Sequence, residues 1–153
     1  MRRFVIAAIS LAAMSGGAMA ADRAGAWQKQ DRKTSIDYVT FDQNGAEFRI
    51  SCDDTGTGGA MVWVRIAGRE LLAGGFAQLG FANRSLKLRT PNEYVATATK
   101  RESNAFKTVW QMVRKGGKLK VELSDFRKAS FSLDGASKVL PAKACLTTFD
   151  SAR

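Results

Sequence analysis

Apolar and polar residues alternate with a period of two along much of the chain, which is how a strand reads when one of its faces is buried. The cleanest run puts Ala46, Phe48, Ile50 and Cys52 on one face and Glu47, Arg49 and Ser51 on the other. Residues 35–41 make its natural partner, because Asp42-Gln43-Asn44-Gly45 between them contains Asn-Gly, a strong hairpin signal. Met61 to Ile66 alternates as well, with Val62, Val64 and Ile66 facing one way and Met61, Trp63 and Arg65 the other. Leu86 and Leu88 between Arg84, Lys87 and Arg89 suggest another strand, as does the run Tyr94 to Thr99. Lys118 to Ser124 sends Leu119, Val121 and Leu123 inward, and Asp125-Phe126-Arg127 turns the chain into a last strand, Ala129 to Leu133.

One segment changes period. Phe106, Val109, Trp110 and Val113 fall at i, i+3, i+4 and i+7, the stripe of an amphipathic helix. The predicted helix spans about 103–115, capped by Ser103 or Asn104 and ended by Gly116-Gly117. A short helical turn follows from Gly135 to Leu140, stopped near Pro141. The fold class is therefore mainly β with some α: an antiparallel β-sandwich or curled sheet of about seven to nine strands, one helix and a short C-terminal helical turn. Residues 146–153 carry no pattern and are expected to fray.

The N-terminus belongs to a different grammar. Arg2 and Arg3 precede an apolar run from Phe4 to Met14, and Ala18-Met19-Ala20 supplies a small-x-small cleavage site. That run is too short to span a bilayer, so residues 1–20 are expected to be a signal peptide cut near Ala20. The rest of the chain reads as one β-rich domain over 21–145, periplasmic or secreted. Two cysteines remain, Cys52 and Cys145. In an oxidising compartment an even count reads as a disulfide, here one that ties an early strand to the end of the chain.

Charge and composition then narrow the chemistry. The chain has 24 Lys and Arg against 14 Asp and Glu. The excess is local: residues 21–83 are close to neutral, and residues 84–143 are strongly basic. Arg84, Lys87, Arg89, Lys100, Arg101, Arg114, Lys115, Lys118 and Lys120 form the expected patch for an anionic partner. Nucleic acid is not expected, since an exported protein seldom meets it and no basic–aromatic binding module is visible. There is no histidine, which excludes Ser-His-Asp and Cys-His catalysis and every His-ligated metal site. Asp54-Thr55-Gly56-Thr57 matches the aspartic-protease tetrapeptide, but Cys52-Asp53 before it replaces the apolar approach that such a site needs. No Ser-x-x-Lys pair and no phosphate-binding glycine loop is present. No enzyme activity and no cofactor are expected.

The text from Trp110 to Gly117, the strand Leu119-Lys120-Val121-Glu122-Leu123, and Phe131-Ser132-Leu133-Asp134-Gly135 leading to Cys145 resemble two groups of small exported proteins. One is the periplasmic accessory family linked to type VI secretion, to which Trp27, Ile50-Ser51-Cys52 and Ala142-Lys143-Ala144-Cys145 also correspond. The other is the invasion-associated locus B family, which usually carries more cysteines. The resemblance implies a shared fold more than a shared activity, and it brings no catalytic residue. Three functions follow as expectations. The first is a non-enzymatic accessory or binding protein with a protein partner in the periplasm or envelope. The second is an inhibitor or immunity protein of a cell-wall hydrolase, making contact through Thr55, Gly56, Thr57 and Gly58 or through Gly68, Arg69 and Glu70. The third is a cationic module for an anionic envelope polymer or lipid.

Overall fold

A computed structural model describes residues 24–55 and 59–153; the expected signal peptide and Gly56, Thr57 and Gly58 lie outside these residues. The described strands form two four-stranded antiparallel sheets. In the first, β1 (Gln28–Asp31), β2 (Ser35–Phe41), β3 (Glu47–Asp53) and β4 (Met61–Arg65) follow one another as a meander. The second uses β5 (Gly75–Phe81), β6 (Arg84–Thr90), β7 (Lys118–Leu123) and β8 (Lys128–Ser132) in the order β6-β5-β7-β8. Helix α1 (Lys100–Lys115) makes the connection from β6 to β7, and α2 (Ala136–Val139) and α3 (Thr148–Ser151) follow β8.

The alternation sets what is inside. Phe48, Ile50 and Cys52 of β3 face Leu79, Leu119, Val121 and Phe131 of the second sheet in one continuous core. Phe48 and Phe131 bridge the two sheets with ring centroids 5.8 Å apart. Helix α1 buries the expected stripe, Phe106, Val109, Trp110 and Val113, and Trp110 meets Tyr38 of β2 edge-on at 5.6 Å. Each such side chain contributes about 1.5–3 kcal/mol by leaving water. The architecture is thus the expected β-sandwich with one long helix, and it has eight described strands.

Several local expectations are corrected. Helix α1 starts three residues before the expected 103, because Thr99 caps it. The Thr99 hydroxyl accepts from the Glu102 amide and the Glu102 carboxylate accepts from the Thr99 amide, a reciprocal capping box. Tyr94 to Thr99 is not a strand; only Val95 bridges to Val62, and Thr97 donates instead to the Ala60 carbonyl. The expected Asn-Gly hairpin is present and turns through three residues, Gln43, Asn44 and Gly45. The Gly45 amide donates to the Asp42 carbonyl and the Asp42 amide to the Ala46 carbonyl, with Gly45 left-handed at φ 77°. Strands β1 and β5 were not expected.

The expected Cys52–Cys145 bond is present, with Cα atoms 5.9 Å apart. It delivers the C-terminal segment to β3, and that segment does not fray. Thr147 and Asp150 form a second capping box at the start of α3. Lys107 of α1 donates to Asp150, and the Thr147 hydroxyl, fully buried, donates to Ser103. The Ala60 amide donates to the Leu146 carbonyl and the Phe149 amide to the Thr97 carbonyl. Polar caps and main-chain bonds hold this tail, and they leave no mark on an apolar periodicity.

Candidate functional site

The outward face of the second sheet gathers the charge. Antiparallel register places Lys87 of β6, Gln78 of β5, Glu122 of β7 and Lys128 of β8 in one row across the sheet. The next row is Ser85, Gly80, Lys120 and Ser130, and Lys118 stands opposite Ser132 beyond it. On the other side of the first row Arg89 stands opposite Phe76. Their inward neighbours Leu88, Ala77, Leu79, Leu119 and Val121 are buried, so burial of one face fixes the exposure of the other.

Among the described residues five cations therefore share the outward face of these strands with one acid of the same strands, Glu122, which pairs with Lys128 at 3.2 Å; Asp42, from the first sheet's hairpin, also lines the groove beside it. Among the described residues Lys87, Arg89, Lys118 and Lys120 have no acidic partner; the Lys87 ammonium lies instead 3.9 Å from the Phe76 ring centroid. Gly80 carries no side chain at the middle of the sheet, and the chain around Gly25 and Asn44 rises beside β8. The result is an open groove of about 890 Å³ that runs over Lys118, Lys120 and Lys128.

The outward face of the first sheet is built in the opposite way. Arg32 and Arg49 pair with Asp37, and Arg49 and Arg65 pair with Glu47. Ser51 also donates to Asp37 at 2.7 Å, and the Arg49 guanidinium lies over Trp63. These charges answer one another, while those of the second sheet do not.

The structure divides the expected basic patch. Lys87, Arg89, Lys118 and Lys120 share the face. Arg101 joins Lys87 and Arg89 around a smaller pocket of about 190 Å³ between β6 and the start of α1, with Lys100 beside it at the helix start. Arg84 sits at the β5–β6 turn, at an inward position of the register. Arg114 donates to the Leu140 carbonyl and serves the fold; Lys115 is exposed at the other end of α1. Lys128 belongs to the face and was missed, although it continues the alternation of Ser130 and Ser132 outward from β8. Of the expected contact loops, Thr55 is exposed and hydrogen-bonds Asp53. Gly68 lies with Ala67 in a tight turn closed by Ile66 and Arg69, and Arg69 and Glu70 after it are held from behind: the Arg127 guanidinium donates to the carbonyls of Ile66, Arg69 and Glu70 and to Asp125. Among the described residues no group of three or more Cys, Asp or Glu side chains is placed to hold a metal ion. No helix among them is long and apolar enough to cross a membrane.

Fold and face together define a small disulfide-closed β-sandwich with one self-neutralised sheet face and one cationic one. The YfjT family matches residues 25–140, both sheets and the first two helices, and the chain belongs to that family. No curated protein and no solved structure matches it.

Proposed function

We propose that the chain is an exported, non-enzymatic binding protein of the cell envelope that holds an anionic partner against the outer face of its second sheet. The observation that carries this reading is the concentration of Lys87, Arg89, Lys118, Lys120 and Lys128 on a sheet face whose own strands, among the described residues, answer them with Glu122 alone. Such a face raises the local concentration of a negatively charged partner and speeds its capture. The N-terminal leader pattern supports export, and the Cys52–Cys145 bond is compatible with an oxidising compartment outside the cytoplasm. The resemblance of the C-terminal half to secretion-linked and invasion-associated exported proteins supports an accessory role over catalysis.

The test uses the mature protein on immobilised polyphosphate. Retention falls steeply between about 0.05 and 0.5 M salt, because the Debye length contracts across that range. The triple variant Lys118→Gln, Lys120→Gln, Lys128→Gln elutes earlier while remaining folded, with a cooperative thermal melt within a few degrees of the wild type's. Retention that ignores salt, or a triple variant that elutes with the wild type, rejects the reading.

A further inference from the structure

The cationic face ends in an apolar tip, and the tip is made from an unfavourable residue. Phe126 lies in the turn between β7 and β8 and is 80% exposed, with a left-handed backbone at φ 65°. The turn repeats the one between β2 and β3. The Phe126 amide donates to the Leu123 carbonyl and the Leu123 amide to the Arg127 carbonyl, as Gly45, Asp42 and Ala46 do in the other hairpin. Phenylalanine thus occupies the position where the same chain elsewhere uses glycine. A bulky residue is strained there, and exposure of the ring gives nothing back in folding. Neither packing nor backbone preference accounts for Phe126.

A second exposed apolar residue stands at the same end. Leu72 is 48% exposed, and its carbonyl accepts from the Gly75 amide and the Thr90 hydroxyl at the ends of β5 and β6. Ser124, two residues before Phe126, is tied to β5 through its amide and the Phe76 carbonyl. The nearest cations on the face are Arg89 and Lys87, beside Phe76, and Lys128, two residues past Phe126. The acids close to the tip are Asp125, which accepts from Arg127 at 2.7 Å, Glu70, two residues before Leu72, whose main-chain carbonyl accepts from the same Arg127, Glu122, which pairs with Lys128, and Glu93, exposed beyond the end of β6.

We infer that Phe126 and Leu72 insert into the interface of an anionic lipid bilayer while Lys87, Arg89 and Lys128 hold its headgroups. This rests on the reading of the sheet face as an anion-binding surface and names the partner's class. A soluble polyanion would satisfy the lysines but leave the two apolar side chains in water. A bilayer satisfies both, since apolar insertion and headgroup attraction combine at its interface.

The test measures sedimentation of the mature protein with vesicles of phosphatidylcholine containing about one-third phosphatidylglycerol, beside retention on polyphosphate. Phe126→Gly is the variant, since the position accepts glycine without strain and the fold is kept; an unchanged or raised melting temperature verifies this. Its vesicle affinity falls about tenfold, which is about 1.4 kcal/mol, while polyphosphate retention stays the same. Removing Lys87 or Arg89 costs about fivefold on vesicles and weakens polyphosphate retention too. In Phe126→Trp, the added indole emission shifts to the blue on vesicles. If Phe126→Gly binds vesicles as the wild type does, or the wild type binds polyphosphate but not vesicles, the insertion is wrong and the anionic reading stands. Binding to neither overturns both.

Discussion

Removal of the disulfide gives the sharpest test of how this fold holds its C-terminal segment. The bond joins residues 93 apart in sequence. On the chain-entropy account, a closed loop of that size withholds about 4.6 kcal/mol of freedom from the unfolded chain at 25 °C. Folded domains are stable by only about 5–15 kcal/mol, so the bond is a large share of the whole. The variant Cys52→Ala, Cys145→Ala should still fold, because Ala60, Thr97, Ser103 and Lys107 hold residues 146–150 without it. Its urea midpoint should fall, its melting temperature should drop by about 15 °C, and its m-value should rise as the open unfolded chain exposes more surface. The wild type under a strong reductant should behave in the same way. A loss below about 1 kcal/mol in both experiments, with m unchanged, would refute the loop-closure argument.

Three further outcomes follow from the side-chain geometry. Arg127→Met strips the donors from the carbonyls of Ile66, Arg69 and Glu70 and should destabilise by about 2–4 kcal/mol in urea unfolding. Asp150 has its carboxyl lowered from 3.8 to about 2, chiefly by hydrogen bonds from Lys107 and then Thr147. The stability it contributes is complete above its ordinary value and is lost as pH falls through the lowered one, so the gap between wild type and Asp150→Asn should close between about pH 4 and pH 2 in thermal melts. Lys120→Gln relieves repulsion from Lys118, about 7 Å away by strand geometry. It should raise stability at low salt by a few tenths of a kcal/mol, a gain that disappears near 0.5 M salt.

Where burial dictated the residue, the sequence was readable. Ala46 to Cys52, Met61 to Ile66 and Lys118 to Ser124 alternate because each has one face in the core, and the stripe from Phe106 to Val113 is the corresponding signal in a helix. Strand β5 was hidden because Phe76 stands outward, where Lys87 covers it, so its outward positions do not contrast cleanly in polarity with inward Ala77, Leu79 and Phe81. Edge strand β1 is polar and four residues long, too short to show a period. The starts of α1 and α3 were legible in principle as Thr99-x-x-Glu102 and Thr147-x-x-Asp150, because capping is local chemistry. The candidate face was half legible: alternation sends Lys118, Lys120 and Lys128 outward, but only the strand order sets Lys87 and Arg89 on the same side, and only the packing of α1 turns Arg114 away to the Leu140 carbonyl. Strand order comes from long-range packing, which a local pattern does not record.

The contrast between the two outward sheet faces is hard to explain by solubility alone. On the first sheet the chain neutralises its arginines with Asp37 and Glu47, so this fold has the means to place acids opposite bases across neighbouring strands. On the second sheet the equivalent positions hold serine, glutamine and glycine, residues that solvate easily but leave the lysines to repel one another. Solubility asks for charges of mixed sign, not for a single-sign field. The Phe126 turn follows the same logic at another level, since Gly45 shows that the chain uses an unstrained residue in that geometry elsewhere. Two independent local costs, one electrostatic and one conformational, therefore fall on adjoining parts of one surface. Costs that folding does not recover are expected where a surface is shaped for binding, and on the proposed reading both would be recovered by a partner that is negatively charged and apolar beneath its charge.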